Sequence, residues 1–151
     1  MSDPAITLAV ESPRQAEVTR LLEALDAYQG ALYPPESNHF LDVEALAAPN
    51  VRFIVARRGA AAVGCGALRI DGACGELKRM YVVPDARSRG VGRALLAALE
   101  DAGRRLGYHT VRLDAGEEQK HSRVLFANTD YREIPSFNAN HIAVYFGEKA
   151  L

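Results

Sequence analysis

Apolar and polar positions alternate over Ala5–Val10, a short run that predicts a first strand. The period then changes. Ser12-Pro13 supplies a cap and a proline suited to the first helical position, and Val18, Leu21, Leu22 and Leu25 share one face, predicting a helix from about Pro13 to Ala27. The paired prolines of Tyr33-Pro34-Pro35-Glu36-Ser37-Asn38-His39 remove donors and restrict their neighbours, so this stretch reads as a shaped loop. A short helix over Asp42–Ala47 is closed by Pro49-Asn50. Strand patterns follow over Val51–Arg57, Ala61–Ile70 and Gly75–Val83, turned at Arg58-Gly59 and Asp71-Gly72, and they predict an antiparallel meander. Val91, Leu95, Ala98, Leu99, Ala102 and Leu106 recur at spacings of three and four, giving one buried helical stripe that Gly107 ends. Thr110–Leu113 reads as a short strand in a central parallel position, Lys120–Asn128 as a helix and His141–Phe146 as a final strand.

A chain of 151 residues has the size of one domain, residues 1–151, and buries roughly two thirds of its unfolded surface. With 18 Lys and Arg against 19 Asp and Glu, it has no basic surplus for non-specific nucleic-acid binding, and nucleic acid is not expected as a partner. No apolar run approaches the roughly 18–20 residues of a membrane span, and Met1-Ser2-Asp3-Pro4 lacks a basic region ahead of an apolar core. The expectation is a cytoplasmic protein with no membrane partner. Cys65 and Cys74 show no metal spacing and read as reduced, small hydrophobes. His109, His121 and His141 are scattered, and no metal is implied.

The basic residues instead gather where a strand pattern gives way to a helix pattern. Met80-Tyr81-Val82-Val83-Pro84 is followed by Asp85-Ala86-Arg87-Ser88-Arg89-Gly90-Val91-Gly92-Arg93, which opens the apolar-periodic segment Ala94–Leu106. The start of a helix has amides without intrahelical partners and the positive end of the macrodipole, so it favours an anion. Gly90 and Gly92 lack the Cβ atoms that hold a phosphate off the backbone, and Arg87, Arg89 and Arg93 add charge-assisted donors worth about 1.5–3 kcal/mol each when aligned. The pattern predicts a pyrophosphate cradle. A Walker A loop requires Gly-Lys followed by Ser or Thr, and Arg93-Ala94 follows Gly92. A dinucleotide fingerprint requires Gly or Ala where Leu95 stands.

Arg87-x-x-Gly90-x-Gly92 resembles the Arg/Gln-x-x-Gly-x-Gly/Ala signature of the GNAT superfamily of N-acetyltransferases. The order of elements is similar to that fold nearly end to end. Leu32-Tyr33-Pro34-Pro35-Glu36-Ser37-Asn38-His39, Gly64-Cys65-Gly66-Ala67, Glu76-Leu77-Lys78-Arg79-Met80-Tyr81-Val82 and Arg104-Arg105-Leu106-Gly107-Tyr108 look like a branch of small bacterial members. The resemblance implies an α+β fold: a mostly antiparallel sheet, splayed between the strand ending at Val83 and the one starting near Thr110, with about four helices. It implies acetyl-CoA as cosubstrate, with pantetheine along Met80, Tyr81 and Val82 and pyrophosphate on the loop from Arg87 through Ser88, Arg89, Gly90, Val91 and Gly92 to Arg93. Tyr33, Glu36 and Asn38 then border the acceptor, expected to be a small-molecule amine; His39 in the same loop is a candidate to orient or deprotonate it, the alternative being a loop histidine that caps backbone. The final strand could pair across a two-fold axis in a homodimer.

Amine attack on a thioester needs a neutral amine, and an alkylamine of pKa about 10.4 is almost wholly protonated near pH 7. Glu76 is a candidate base, at the position where some members of the resembling family carry a catalytic glutamate; the alternative is an exposed strand carboxylate paired with Arg69 or Lys78. A strand amide near Val82 could hold the oxyanion. The family pattern ending in Tyr-x-x-x-Gly-Phe/Tyr is altered here to Phe126-Ala127-Asn128-Thr129-Asp130-Tyr131, so the expected acid is a phenylalanine and the helix-ending glycine an aspartate. Ser122, one turn earlier, is the substitute candidate acid; its alternative is a surface helix residue. Cys65 as a covalent acetyl carrier is a further route. A lapsed acyl-CoA-binding module and a nucleotide or phosphate sensor are the competing functions.

Overall fold

The protein is described by a computed structural model, over residues 5–32, 42–87, 89–116, 125–126, 128–135, 137 and 143–151. Strand β1 (Ile6–Val10) leads to helix α1 (Ala16–Leu32), the one-turn helix α2 (Val43–Leu46) and the meander β2 (Val51–Arg58), β3 (Ala61–Asp71) and β4 (Cys74–Val82). A 3-10 turn at Pro84–Ala86 precedes α3 (Val91–Arg105), followed by β5 (Thr110–Gly116), β6 (Arg132–Glu133) and β7 (Ala143–Ala150). The seven strands form one sheet in the order β1-β2-β3-β4-β5-β7-β6, antiparallel except where β4 meets β5. This is the mixed α+β sheet that the resemblance implied.

Several boundaries differ from expectation. The amide of Arg14 donates to Ser12 Oγ (3.1 Å), closing a small turn rather than capping a helix, and the first α-helical bond runs from Thr19 N to Gln15 O (2.9 Å). Helix α1 therefore begins at Ala16 rather than Pro13, and it continues through Gly30 to Leu32, two residues before Pro34. Both hairpin turns sit one residue later than expected, because Gly59 (φ 60°) and Gly72 (φ 62°) each take the first place of a two-residue turn. Leu106 was expected in the buried stripe of α3 but is 39% exposed; Leu96 and Glu100 are buried instead. The amides of Tyr108 and Gly107 return to Gly103 O and Arg104 O (3.0 Å each) with Gly107 at φ 84°, a Schellman ending.

Strand β7 runs four residues past Phe146 because Gly147 continues the ladder opposite Leu113. Its outer edge is taken at Gly147 and Glu148 by β6, a two-residue strand with no periodicity to announce it. The last strand is thus not an open edge at those two residues. Of the helix expected over Lys120–Asn128, only Leu125 and Phe126 are described as helical; the start of the expected last strand also lies outside the described residues.

The sheet separates two apolar layers. Leu95, Leu96 and Leu99 of α3 pack with Ile54, Leu68 and Leu77 on one face, while Val18, Leu21 and Leu22 of α1 and Leu46 of α2 pack with Phe53, Val55 and Ala67 on the other. Alternation along β2 sends its side chains to both layers, so that strand is apolar almost throughout. A Cβ at Gly66 would stand 2.9 Å from Leu99 Cδ1, so the glycine in the Gly64-Cys65-Gly66 block lets α3 lie close on β3.

Candidate active site

The decisive feature is where β4 and β5 part. They pair in parallel only at Gly75↔Val111 and Glu76↔Arg112, yet β4 runs on to Val82 and β5 to Gly116. A local cause is visible in β4. Arg79 adopts φ 56°, a left-handed conformation uncommon for a side-chain-bearing residue, and the register against β3 slips between Cys65↔Tyr81 and Ala67↔Lys78. Such a bulge twists the strand away from its neighbour. Arg79 is held in place by Asp26 of α1 (Nη1–Oδ1 2.5 Å), with its own side chain only 6% exposed.

Beyond the bulge, Val83 N–H donates to Val63 O (2.9 Å). Strand alternation then turns the N–H and C=O of Val82 toward the opposite edge, into the gap left by β5. The Val82 carbonyl accepts from Arg87 Nε (2.9 Å), and the Arg87 guanidinium lies 5.6 Å from the Tyr81 ring. Arg87 therefore ties the end of β4 to the loop.

That loop ends at Gly90, the N-cap of α3, with φ 84° and ψ 3°. Helix α3 has no side-chain cap and no acid in its first turn, so nothing on that turn offsets its dipole or takes the amides of Val91, Gly92 and Arg93. A Cβ at Gly90 would meet nothing within 4 Å among the described residues, whereas one at Gly92 would face Leu125 and Val82. The two glycines thus differ. Gly90 supplies a backbone conformation on the open side, and Gly92 faces the protein. Arg89 and Arg93 are exposed beside them; Ser88 lies outside the described residues, as do Tyr33, Glu36, Asn38, His39 and Ser122.

Glu76 is buried, 6% exposed, at the closed end of the gap. Its Oε2 accepts from Arg69 Nη2 (2.9 Å) and its Oε1 lies 2.7 Å from Lys78 Nζ. Burial alone raises its pKa, but Lys78 and Arg69 outweigh burial and hold the carboxyl below its ordinary value. Both oxygens are engaged. The ion-paired arrangement is the one found, and it makes Glu76 a weak base.

Cys65 is fully buried, its thiol pushed up to about 12 by burial against a smaller opposing effect of Arg79. A thiol so rarely ionised does not serve as nucleophile at neutral pH. Cys65→Ala is accordingly expected to retain turnover, with no acetyl adduct on the wild-type protein by intact mass after incubation with acetyl-CoA. A lasting adduct lost in the variant would restore the covalent route.

Phe126 is buried and stacks obliquely on Tyr131 (ring centroids 5.7 Å), whose hydroxyl donates to Glu100 Oε2 of α3 (2.9 Å). Asp130 takes the left-handed conformation itself, φ 71°, and Tyr131 N returns to Phe126 O (3.2 Å). The helix ending is kept although its glycine is not.

A family model described as Acetyltransferase (GNAT) family matches residues 18–130. The chain belongs to the GNAT family. It is an acyl-CoA-dependent acetyltransferase, and the cosubstrate of the family is acetyl-CoA. A relative in Azospirillum brasilense, named IAA acetyltransferase, is 46% identical over 136 residues, 89% of each chain. Among solved structures, a candidate acyl-CoA N-acyltransferase of Klebsiella pneumoniae is 32% identical with a TM-score of 0.80 over 97% of both chains. The PaiA N-acetyltransferase of Thermoplasma acidophilum, solved with coenzyme A, shares the fold at TM-score 0.74 and 15% identity, over 97% of this GNAT chain and 99% of its own. No helix among the described residues of this acetyltransferase is long and apolar enough to cross a membrane.

The sequence left two features of the site unannounced. The Arg79 bulge has no glycine to mark it. The grouping of Arg112, Glu148 and Arg132 joins residues far apart in the chain, which only strand register brings together.

Proposed function

We propose that this acetyltransferase transfers the acetyl group of acetyl-CoA to a primary amine of a small molecule, by direct attack in a ternary complex. The observation that carries the reading is the divergence of β4 from β5 beside the uncapped start of α3. Pyrophosphate is assigned to the amides of Val91, Gly92 and Arg93 and to the loop Arg87, Ser88, Arg89 and Gly90; pantetheine is assigned to the diverged edge of Met80, Tyr81 and Val82. The Val82 N–H, turned into the gap, is the proposed donor to the tetrahedral oxyanion.

The amine loses its proton to water in the gap rather than to Glu76, because a carboxylate whose oxygens are both ion-paired gains little by accepting a proton. Glu76 is assigned to fixing Arg69 and Lys78. Phe126 has no proton to give, so the thiolate departs as an anion or is protonated by solvent or Ser122; a thiol of ordinary pKa about 8.5 makes an adequate leaving group. The α1 end at Leu32 and the α2 cap at Asp42, whose Oδ1 accepts from Ala45 N (2.8 Å), bracket the loop of Tyr33, Glu36, Asn38 and His39, proposed to border the acceptor. The name of the Azospirillum relative favours a small acceptor over a protein.

A panel of small primary amines, scored by release of free CoA and by mass of the product, tests the proposal. N-acetylation of at least one amine is the expected result. Binding of acetyl-CoA with no amine turned over would replace it with the lapsed binding module that Phe126 suggested.

A further inference from the structure

We propose that the acceptor carries a carboxylate as well as its amine, and that Arg112, with Arg69 nearby, binds that carboxylate on the α1 side of the β4–β5 junction. The assignment to an acceptor rests on the acetyl-transfer reading above; the anion site stands on its own geometry.

Backbone pairing sets the row. Glu76 is opposite Arg69 on β3 and Arg112 on β5, and Arg112 is opposite Glu148 on β7, so these four side chains share one face of the sheet. Two carboxylates there serve more cations than they number among the described residues. Glu76 meets Arg69 and Lys78, and Glu148 meets Arg112 and Arg132. Arg69 also has its Nε buried with no hydrogen-bond partner among the described residues.

Arg112 is the member built to take a ligand. It gives only Nε to Glu148 Oε2 (2.8 Å), and its two terminal nitrogens have no partner among the described residues while the side chain is 38% exposed. Its guanidinium lies 5.5 Å from the Phe137 ring, which meets Phe146 edge-on at 5.5 Å. The ring restrains one face of the guanidinium and leaves the donor fork at its rim. A fork of that shape matches a planar carboxylate, and the adjoining aromatic pair suits the hydrocarbon part of the same ligand.

Titration calorimetry in the presence of CoA, comparing 3-phenylpropionate with 3-phenylpropanol, reads the site without turnover. The acid is expected to bind about tenfold tighter than the alcohol or better, the scale of one charge-assisted hydrogen bond. Arg112→Met is expected to erase that difference. Glu148→Gln, which removes the competing carboxylate, is expected to widen it, a gain that misfolding cannot produce. Equal binding of acid and alcohol, or a preference indifferent to both substitutions, would overturn the proposal. Because Arg112 lies in register with Glu76 and the Val82 N–H is six residues farther along β4, 8-aminooctanoate and octylamine then form the matched acceptor pair, with the amino acid expected to show the higher kcat/KM. A preference for octylamine counts against the carboxylate site. If neither is acetylated while the acid still binds through Arg112, the amine-transfer reading fails and the anion site stands.

Discussion

Gly90→Val is expected to weaken acetyl-CoA binding on the order of a hundredfold, the equivalent of about 2.7 kcal/mol. The residue stands at φ 84°, where a β-branched side chain is strained by about 1–3 kcal/mol. Among the described residues a Cβ there meets nothing within 4 Å. The cost to the free protein is therefore one of backbone conformation, not of clash. At about 2–4 °C per kcal/mol for a chain of this size, the variant loses a few degrees in Tm and remains folded. The larger part of the binding loss comes from the open side, where a side chain intrudes between phosphate and amides. Gly90→Asn separates the two contributions, because asparagine tolerates the left-handed region. It should restore most of the Tm and little of the affinity. A valine variant that binds acetyl-CoA as the wild type does, measured by calorimetry, removes the proposed cradle.

How much of this was legible in the sequence depended on whether a feature was local. The loop and the α3 start could be read because their chemistry lies within eight residues, Arg87–Ala94, and a backbone conformation that favours glycine leaves a glycine behind. The meander was legible because apolar alternation and two turn glycines repeat the same message. The opening of the sheet could not be derived from pattern and came from family resemblance alone. Its visible cause, Arg79 in a left-handed bulge, breaks the rule that such positions carry glycine, and its restraint is Asp26, 53 residues earlier. Asp130 breaks the same rule at the end of the Phe126 turn, where the ending is retained without its glycine. Arg87 shows the limit in the other direction. Its type and place suit a phosphate donor, and its Nε is at the same time committed to Val82 O. Composition cannot tell how many donors of a side chain remain for a ligand once one of them fastens the strand beside it.

For Glu76 the same distinction has the second-largest expected consequence. Glu76→Gln is expected to lower stability at pH 7 by about 2–4 kcal/mol, since removing the buried carboxylate takes an ion-pair partner from both Arg69 and Lys78. The estimate sits toward the lower side because Arg69 and Lys78 are 32% and 20% exposed and recover some hydration. The pH dependence has a definite sign. The folded pKa lies below the ordinary 4.5, so the stabilisation from Glu76 is fully present above that value and is lost as pH falls through the lower, folded pKa. Wild type and variant should therefore differ most near neutrality and converge in acid, followed by denaturant midpoints between pH 7 and pH 3. Catalysis gives the opposing test. If Glu76 were the base, its amide would depress kcat/KM severely and the deficit would shrink as pH rose. If it organises Arg69 and Lys78, the variant keeps the wild-type pH–rate profile below its own unfolding temperature. A deficit that disappears at high pH, in a variant with unchanged stability, would reinstate the base and dismiss the ion-pair role.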